Sequence, residues 1–171
     1  MKLKYVYSFL LLAALLGCTR DDICSEETPK TPLLIIRFYD YEAPQFLKPV
    51  EEMAIFADTI SIPLFEIGTT DSIAIPLKTA ADITDYSFIK NANDTLFIGD
   101  QEILLEELLR FSYTRKDEYI NRACAFRTDY YNLNVEQLTE NPFSSWIDSI
   151  RIRIDSLTPL TQNEPHIRIY H

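Results

Sequence analysis

Paired carboxylates are the side chains of this sequence that come closest to a reactive group. Adjacent acidic residues occur at Asp21-Asp22, Glu51-Glu52 and Glu106-Glu107. Such pairs could bind calcium, or act as general acid and base in the way that glycoside hydrolases use two carboxylates about 5 to 10 Å apart. None of the three has the spaced oxygen ligands of a calcium loop, so we expect all of them to lie on solvated faces.

Histidine and the short catalytic motifs offer little further chemistry. His166 and His171 both lie near the end of the sequence, and His166 alternates with isoleucines, which predicts that it faces solvent on a terminal strand. The sequence contains no nucleophile elbow, phosphate loop or zinc helix. We therefore predict no catalytic residue, no metal site and no cofactor.

The beginning of the chain has the layout of an export signal. Lys2 and Lys4 precede residues 5–16, an uncharged run rich in Leu and Ala that is shorter than the roughly 20 apolar residues of a spanning helix. Residues 15–18, Leu-Leu-Gly-Cys, resemble the bacterial lipobox. The resemblance implies cleavage before Cys18 and lipidation of Cys18, by a diacylglyceryl group and palmitate-type acyl chains that attach the protein to a membrane. The alternative is a plain signal peptide with an incidental cysteine.

The residues after Cys18 indicate where in the cell the protein is located. Thr19 is similar to the residue that directs lipoproteins to the outer membrane, and Arg20-Asp21-Asp22 resembles the surface-export signal of lipoproteins from Bacteroidota. We therefore expect an outer membrane lipoprotein of the cell envelope, either periplasmic or surface-exposed. The alternative for the two aspartates is that they keep a linker solvated.

Two cysteines remain once Cys18 carries lipid. Export places Cys24 and Cys124 in an oxidising compartment, where an even pair predicts a disulfide. The bridge would close a loop of about 100 residues and hold the first residues of the domain beside the anchor. A thiol nucleophile or a metal ligand are the alternatives, although no Cys-x-x-Cys motif is present.

Five short segments share an Asp that is followed by Ser or Thr and then by an apolar residue. They resemble the O-glycosylation acceptor of Bacteroidota, which implies a sugar on the hydroxyl residue of each segment. Those residues are Thr59, Ser72, Thr95, Ser149 and Ser156. The alternative is a turn just before a strand, which the same residues favour.

Composition predicts one folded, acidic domain. The 171 residues are 47% hydrophobic, which is ample for a core, and removal of residues 1–17 changes the formal charge from −10 to −12 because Lys2 and Lys4 are lost. Such a surface repels phosphate backbones, so we expect no nucleic acid partner. We divide the chain into a signal peptide at 1–17, an acylated anchor and linker at 18–32, and a single β-rich domain at 33–171.

Period-two alternation predicts a mainly β fold. The spacing also predicts one short helix at 101–108 and a helical turn or loop at 134–146, while 40–49 has the composition of a loop. Short strands without a βαβ rhythm favour an antiparallel two-sheet β-sandwich, immunoglobulin-like by analogy, with a small β-barrel as the alternative. The predicted strands are 33–39, 58–64, 71–77, 85–89, 95–98, 109–113, 122–131, 150–154 and 166–170.

Three segments resemble an uncharacterised lipoprotein family of Bacteroidota, a domain of unknown function. They are Asp21-Asp22-Ile23-Cys24, residues 31–40 (TPLLIIRFYD) and residues 122–127 (RACAFR), and the similarity spans nearly all of the mature chain. The family has Ala-Cys-Gly-Phe around the second cysteine, where this chain has Ala125. The resemblance supports the disulfide between Cys24 and Cys124 and the location in the cell envelope. It implies no activity.

Three functions are consistent with these observations. The first is a non-enzymatic, membrane-anchored envelope lipoprotein, a structural or interaction module that contacts an envelope protein or a glycan. The second is a β-sandwich that binds a small ligand or glycan, with Trp146, Tyr130 and Tyr131 at the mouth of a cleft, although such side chains more often belong to the core. The third is a carboxylate-based hydrolase, which requires acidic groups of raised pKa.

Overall fold

The structure is a computed structural model that describes residues 23–57, 62–94, 96–98, 101–138 and 144–171. Within these ranges the chain forms eleven strands, and no helix there is long and apolar enough to cross a membrane. The strands are β1 Leu34–Tyr39, β2 Val50–Ala57, β3 Gly68–Thr70, β4 Ser72–Ile75, β5 Ile83–Lys90, β6 Leu96–Ile98, β7 Gln101–Ile103, β8 Leu105–Asn121, β9 Ala125–Gln137, β10 Ser149–Ile152 and β11 Ile167–Tyr170.

Nine of these strands form two sheets that pack face to face. The four-stranded sheet has the order β10-β11-β1-β4, the five-stranded sheet has the order β3-β2-β5-β8-β9, and β6 pairs with β7 in a separate hairpin. The predicted β-sandwich is confirmed, and the barrel alternative is wrong because the two sheets do not close on each other. Neighbouring strands of these sheets are antiparallel except β1 and β11, which run parallel with Ile36 opposite Ile167.

The core lies between the sheets and follows from the alternation of each strand. Leu34, Ile36 and Phe38 point inward from β1, and Tyr86 and Phe88 point inward from β5 on the opposite sheet. Each such burial stabilises the fold by about 1.5 to 3 kcal/mol, so a shift of register by one residue would be very unfavourable.

Proline marks the edge of one sheet, as expected for a residue without a backbone donor. Strand β4 lies at the edge of the four-stranded sheet and ends at Ile75, immediately before Pro76. The strand predicted at 58–64 has a different outcome, because 62–64 is not in a strand and 58–61 lies outside the described residues.

The helix predicted at 101–108 is wrong. Residues 101–103 form β7, and from Leu105 onward the chain pairs with β5, beginning at Lys90 opposite Leu105. The leucine spacing favours a helix, but pairing with β5 makes the segment a strand. Residues 134–137 likewise continue β9 and form no helical turn.

Strand β2 was not predicted because a bulge interrupts its alternation. The register with β3 shifts between Val50 and Met53, and Glu52 has a left-handed φ of 42°. An extra residue in a strand places residues three apart on the same face, so Val50 and Met53 both point into the core.

Candidate functional site

The hairpin of β8 and β9 extends beyond the rest of its sheet. Strand β5 pairs with β8 only as far as Ser112, and past this point β8 and β9 pair with each other as far as Asn121 and Ala125. We call residues 114–131 the hairpin arm. The arm ends in a three-residue loop in which the Asn121 side chain accepts hydrogen bonds from the amides of Ala123 and Cys124.

A disulfide attaches the beginning of the described chain to the end of this arm. Cys24 and Cys124 are bonded, with their Cα atoms 4.9 Å apart and a separation of 100 residues in sequence. Further along, the amide of Thr128 donates to the hydroxyl of Thr31 at 3.1 Å. Residues 24–31 are thus held against the arm at both ends. The bond between Cys24 and Cys124 is the pairing of cysteines that the sequence predicts.

Ion pairs run along and across the two strands of the arm. Arg127 donates to both carboxylate oxygens of Asp129 at 2.8 and 3.0 Å and to Glu118 at 3.0 Å. Lys116 binds the same Glu118 at 2.7 Å. Asp129 raises the pKa of Arg127, and the hydrogen bond from Lys116 lowers the pKa of Glu118. The charges along this side of the arm therefore neutralise one another.

A groove opens at one side of the sandwich, where the chain crosses from β3 in one sheet to β4 in the other. Its volume is about 370 Å³, and Met53, Ile55, Phe65 and Ile73 form its apolar lining. Threonine and serine hydroxyls on β3 and β4 add polar groups at the rim. This mixture suits a small ligand with an apolar body and a few hydroxyl groups.

The aromatic residues predicted to line a cleft belong mainly to the core. Tyr130 is fully buried, and its hydroxyl donates to the carbonyl of Leu77 at 3.0 Å. Trp146 is also buried, and its indole N–H donates to the carbonyl of Phe88 at 3.2 Å. Tyr131 is half-buried, and none of the three lines the groove.

Glu107 corrects the expectation that every acidic pair is solvated. Its carboxylate is fully buried and accepts hydrogen bonds from the amides of Trp146 and Ile147 at 3.0 and 3.3 Å. The side chains of Ser145 and Gln137 donate to it as well. The carboxylate therefore fixes the segment at 145–147, and its oxygens are not free to act on a substrate.

His166 corrects a second expectation, since it is buried and does not face solvent. The amide of Ile35 donates to its Nδ1 at 3.1 Å, so the ring proton lies on Nε2, which is 3.4 Å from the hydroxyl of Thr161. Burial lowers the pKa of His166 to about 4. The imidazole is thus a neutral acceptor within the fold.

His171 and two half-buried lysines form a second polar group at the opposite end of the sandwich from the arm. His171 is buried, packs edge to face on Trp146 with centroids 5.5 Å apart, and accepts a bond at its carbonyl from Lys48 at 2.8 Å. Its pKa is lowered, mainly by burial, and burial also lowers the pKa of Lys90, which lies 3.4 Å from its Nδ1.

Acid–base and metal chemistry find little support in the described ranges. A bidentate hydrogen bond from Arg110 lowers the pKa of Asp85, and the pKa of Glu118 is lowered as well. The hydrolase hypothesis requires carboxylates whose pKa is raised. No group of three or more His, Cys, Asp or Glu side chains in these ranges is arranged to hold a metal ion.

The other predicted site residues are dispersed. Ser72 lies on the edge strand β4, Ser149 on the edge strand β10 and Ser156 in the following loop, and all three are half-buried. Cys18, Thr59 and Thr95 lie outside the described residues. Glycosylation of any of the five hydroxyl residues stays a prediction, as does lipidation.

The groove and the apolar residues at the end of the arm were not predicted. Met53 and Ile55 lie on β2, which was not predicted. Phe65 lies immediately after the strand that was predicted at 58–64. The arm carries a signal that could have been used, because the aromatic residues Tyr119 and Phe126 lie close to a turn on either side of it, where polar residues are usual.

Comparison with known proteins places the chain in a family. No curated protein and no solved structure matches it. The model of a family of unknown function, DUF6452, matches residues 52–171, which include the groove and the whole hairpin arm. The chain therefore belongs to the family of unknown function DUF6452.

Proposed function

We propose that this protein is an envelope lipoprotein, held to a membrane by lipid on Cys18, whose β-sandwich is an interaction module for another envelope protein or a glycan. The observation that carries the proposal is the Cys24–Cys124 disulfide. It fixes the chain to the hairpin arm six residues after Cys18, so an anchor there would hold a folded domain on a short tether.

The redox state supports the same proposal. Disulfides persist in oxidising compartments outside the cytoplasm, and the apolar run at 5–16 is the type of segment that directs a chain there. The proposal includes a location at the outer membrane, on its periplasmic or its surface-exposed side. This location follows from Thr19 and from Arg20-Asp21-Asp22.

Metabolic labelling with an alkyne analogue of palmitate tests the anchor. We expect label on the full-length protein and on a Cys24→Ala/Cys124→Ala variant, and no label on Cys18→Ala. The double variant is the matched control because it also lacks cysteines but keeps the residues of the lipobox. An unlabelled wild-type protein, or a labelled Cys18→Ala protein, would contradict the proposal.

A second candidate function is the binding of a small ligand or glycan in the groove. The volume of about 370 Å³ is within the range of ligand sites, and its lining combines Phe65 and other apolar side chains with hydroxyl groups. A ring that stacks on Phe65 and carries a sugar would use both.

Saturation-transfer NMR with phenyl glucoside, on the lipidated protein in nanodiscs, tests this candidate. We expect transfer to the phenyl protons that is lost in Phe65→Ala and kept in Phe46→Ala. Phe46 is the matched control because it is also an exposed phenylalanine but does not line the groove. Equal transfer in the two variants would exclude the groove as the site for this ligand.

A further inference from the structure

Three large apolar side chains are exposed around the disulfide at the end of the hairpin arm. Ile23 is 86% exposed, Tyr119 62% and Phe126 65%. Tyr119 and Phe126 lie opposite each other on β8 and β9, and their rings meet edge to face with centroids 5.4 Å apart. We call these three residues the apolar tip. Clustered exposure of this kind is typical of a surface that contacts another apolar phase.

Covalent geometry limits the distance between the apolar tip and Cys18. An extended chain advances by at most about 3.5 Å per residue, so Cys24 lies within about 20 Å of Cys18. Phe126 follows Cys124, the partner of Cys24, by two residues, which adds at most about 7 Å to the 4.9 Å between the two cysteine Cα atoms. Ile23 is the neighbour of Cys24. The apolar tip is therefore the part of the described fold that is tied most closely to Cys18.

The charges beside the apolar tip permit contact with a bilayer. The acidic chain as a whole is repelled by anionic headgroups. On the face of the arm opposite to Tyr119 and Phe126, however, Glu118 and Asp129 are neutralised by Lys116 and Arg127. On the same face as the two rings, the carboxylate of Asp117 accepts a hydrogen bond from Thr128. Arg122 is exposed in the loop at the end of the arm. Aromatic rings together with an arginine are the combination that proteins place at the interface between membrane and water.

We propose that Ile23, Tyr119 and Phe126 insert into the headgroup region of the bilayer that carries the lipid on Cys18, so that the arm stands on the membrane surface. This inference rests on the lipid anchor proposed above. It adds a second contact and an orientation, with the groove and the His171 end of the sandwich held away from the bilayer.

Quenching by brominated lipid tests the orientation. Full-length lipidated protein is reconstituted into phosphatidylcholine vesicles, with or without phosphatidylcholine brominated near the glycerol end of its acyl chains. Tyr119→Trp is compared with Tyr41→Trp, which is 56% exposed and lies at the other end of β1 near His171. The native Trp146 is buried and contributes the same background to both variants.

We expect brominated lipid to weaken the added emission of Tyr119→Trp about twofold and to leave that of Tyr41→Trp nearly unchanged. Equal quenching of the two variants in protein that is acylated and bound to vesicles would overturn the inference, and the anchor would stand. The mass of the amino-terminal peptide from the same sample reports acylation of Cys18. Absence of the acyl mass would overturn the anchor and this inference together.

Discussion

Glu107 is held in the interior by donors that come mainly from one short segment. The amides of Trp146 and Ile147 and the hydroxyl of Ser145 all bind its carboxylate. A buried carboxylate is tolerated only when such donors replace the water that it loses. The same donors are left without partners if the carboxylate is removed, so this residue links the stability of β8 to the order of the segment at 144–147.

Replacement of Glu107 by alanine should therefore lower the free energy of unfolding by about 3 kcal/mol, because several buried donors lose their acceptor. Glu107→Gln should cost less, since it keeps one carbonyl oxygen. Glu106→Ala is the control, because Glu106 is exposed and binds only Ser87 among the described residues. Urea unfolding measures all three, and equal losses at positions 106 and 107 would contradict this role.

His166 should make stability depend on pH. Its pKa is about 4 in the fold and about 6.5 in the unfolded chain, so between these values the unfolded chain binds a proton that the folded chain does not. The free energy of unfolding should therefore fall as the pH is lowered from about 6.5 to about 4, by at most about 1.4 kcal/mol per pH unit. Stability from this group is fully present above pH 6.5.

An asparagine at position 166 separates this effect from the titration of carboxyl groups. Its side-chain oxygen can accept the hydrogen bond from Ile35 without taking up a proton. We expect the difference in stability between wild type and His166→Asn to vary across this pH range, as measured by urea unfolding at each pH. A difference that stays constant would show that His166 does not titrate as described.

The elements show which features sequence patterns could predict. Strands with regular alternation, such as β1 and β11, were predicted closely, and so was the sandwich. Two features remained hidden for physical reasons. The inward position of Glu107 disguises the alternation of β8, because its donors lie far away in sequence, and the bulge at Glu52 breaks the alternation of β2. Burial of His166 depends on the loop at 155–165 and on Ile35, which local alternation does not report.

The site was less predictable than the fold. Cys24 and Cys124 could be paired by counting cysteines, since a disulfide needs only an even number and an oxidising compartment. The groove could not be predicted, because it depends on two strand edges that meet only after the sheets have packed. The apolar tip needed both the register of the arm and the disulfide.

The first residue of β9, immediately after the loop of the hairpin arm, has a strained backbone. Ala125 has a φ of 57°, in the left-handed region that glycine adopts without a steric cost. A left-handed residue commonly follows the turn of a short hairpin. Glycine at this position should therefore stabilise the arm.

Ala125→Gly should raise the free energy of unfolding by about 1 kcal/mol, because relief of the left-handed strain exceeds the added entropy of the unfolded chain. Ala123→Gly is the matched control, since Ala123 is not among the residues of positive φ. This substitution should destabilise the fold slightly. Thermal and urea unfolding of both variants measure the difference. Destabilisation at both positions would mean that the strain is absent.

At the scale of the whole molecule, the disulfide spans most of the domain. It closes a loop of 100 residues, for which chain entropy gives a stabilisation of about 4 to 5 kcal/mol. The double variant Cys24→Ser/Cys124→Ser should lose up to this amount in urea unfolding. Non-reducing peptide mapping of the wild type provides the check on the bond itself, and recovery of both free thiols from native protein would contradict it.

The parallel pairing of β1 with β11 has a consequence for the time at which the protein can fold. Ile35 and His166 exchange hydrogen bonds across 131 residues, so the four-stranded sheet cannot form until nearly all of the domain has been synthesised. Contacts this distant in sequence also make folding slow. If the chain is exported and lipidated as we propose, it would thus emerge unfolded, and the enzyme that attaches lipid at Cys18 would meet an open chain before any domain could shield it.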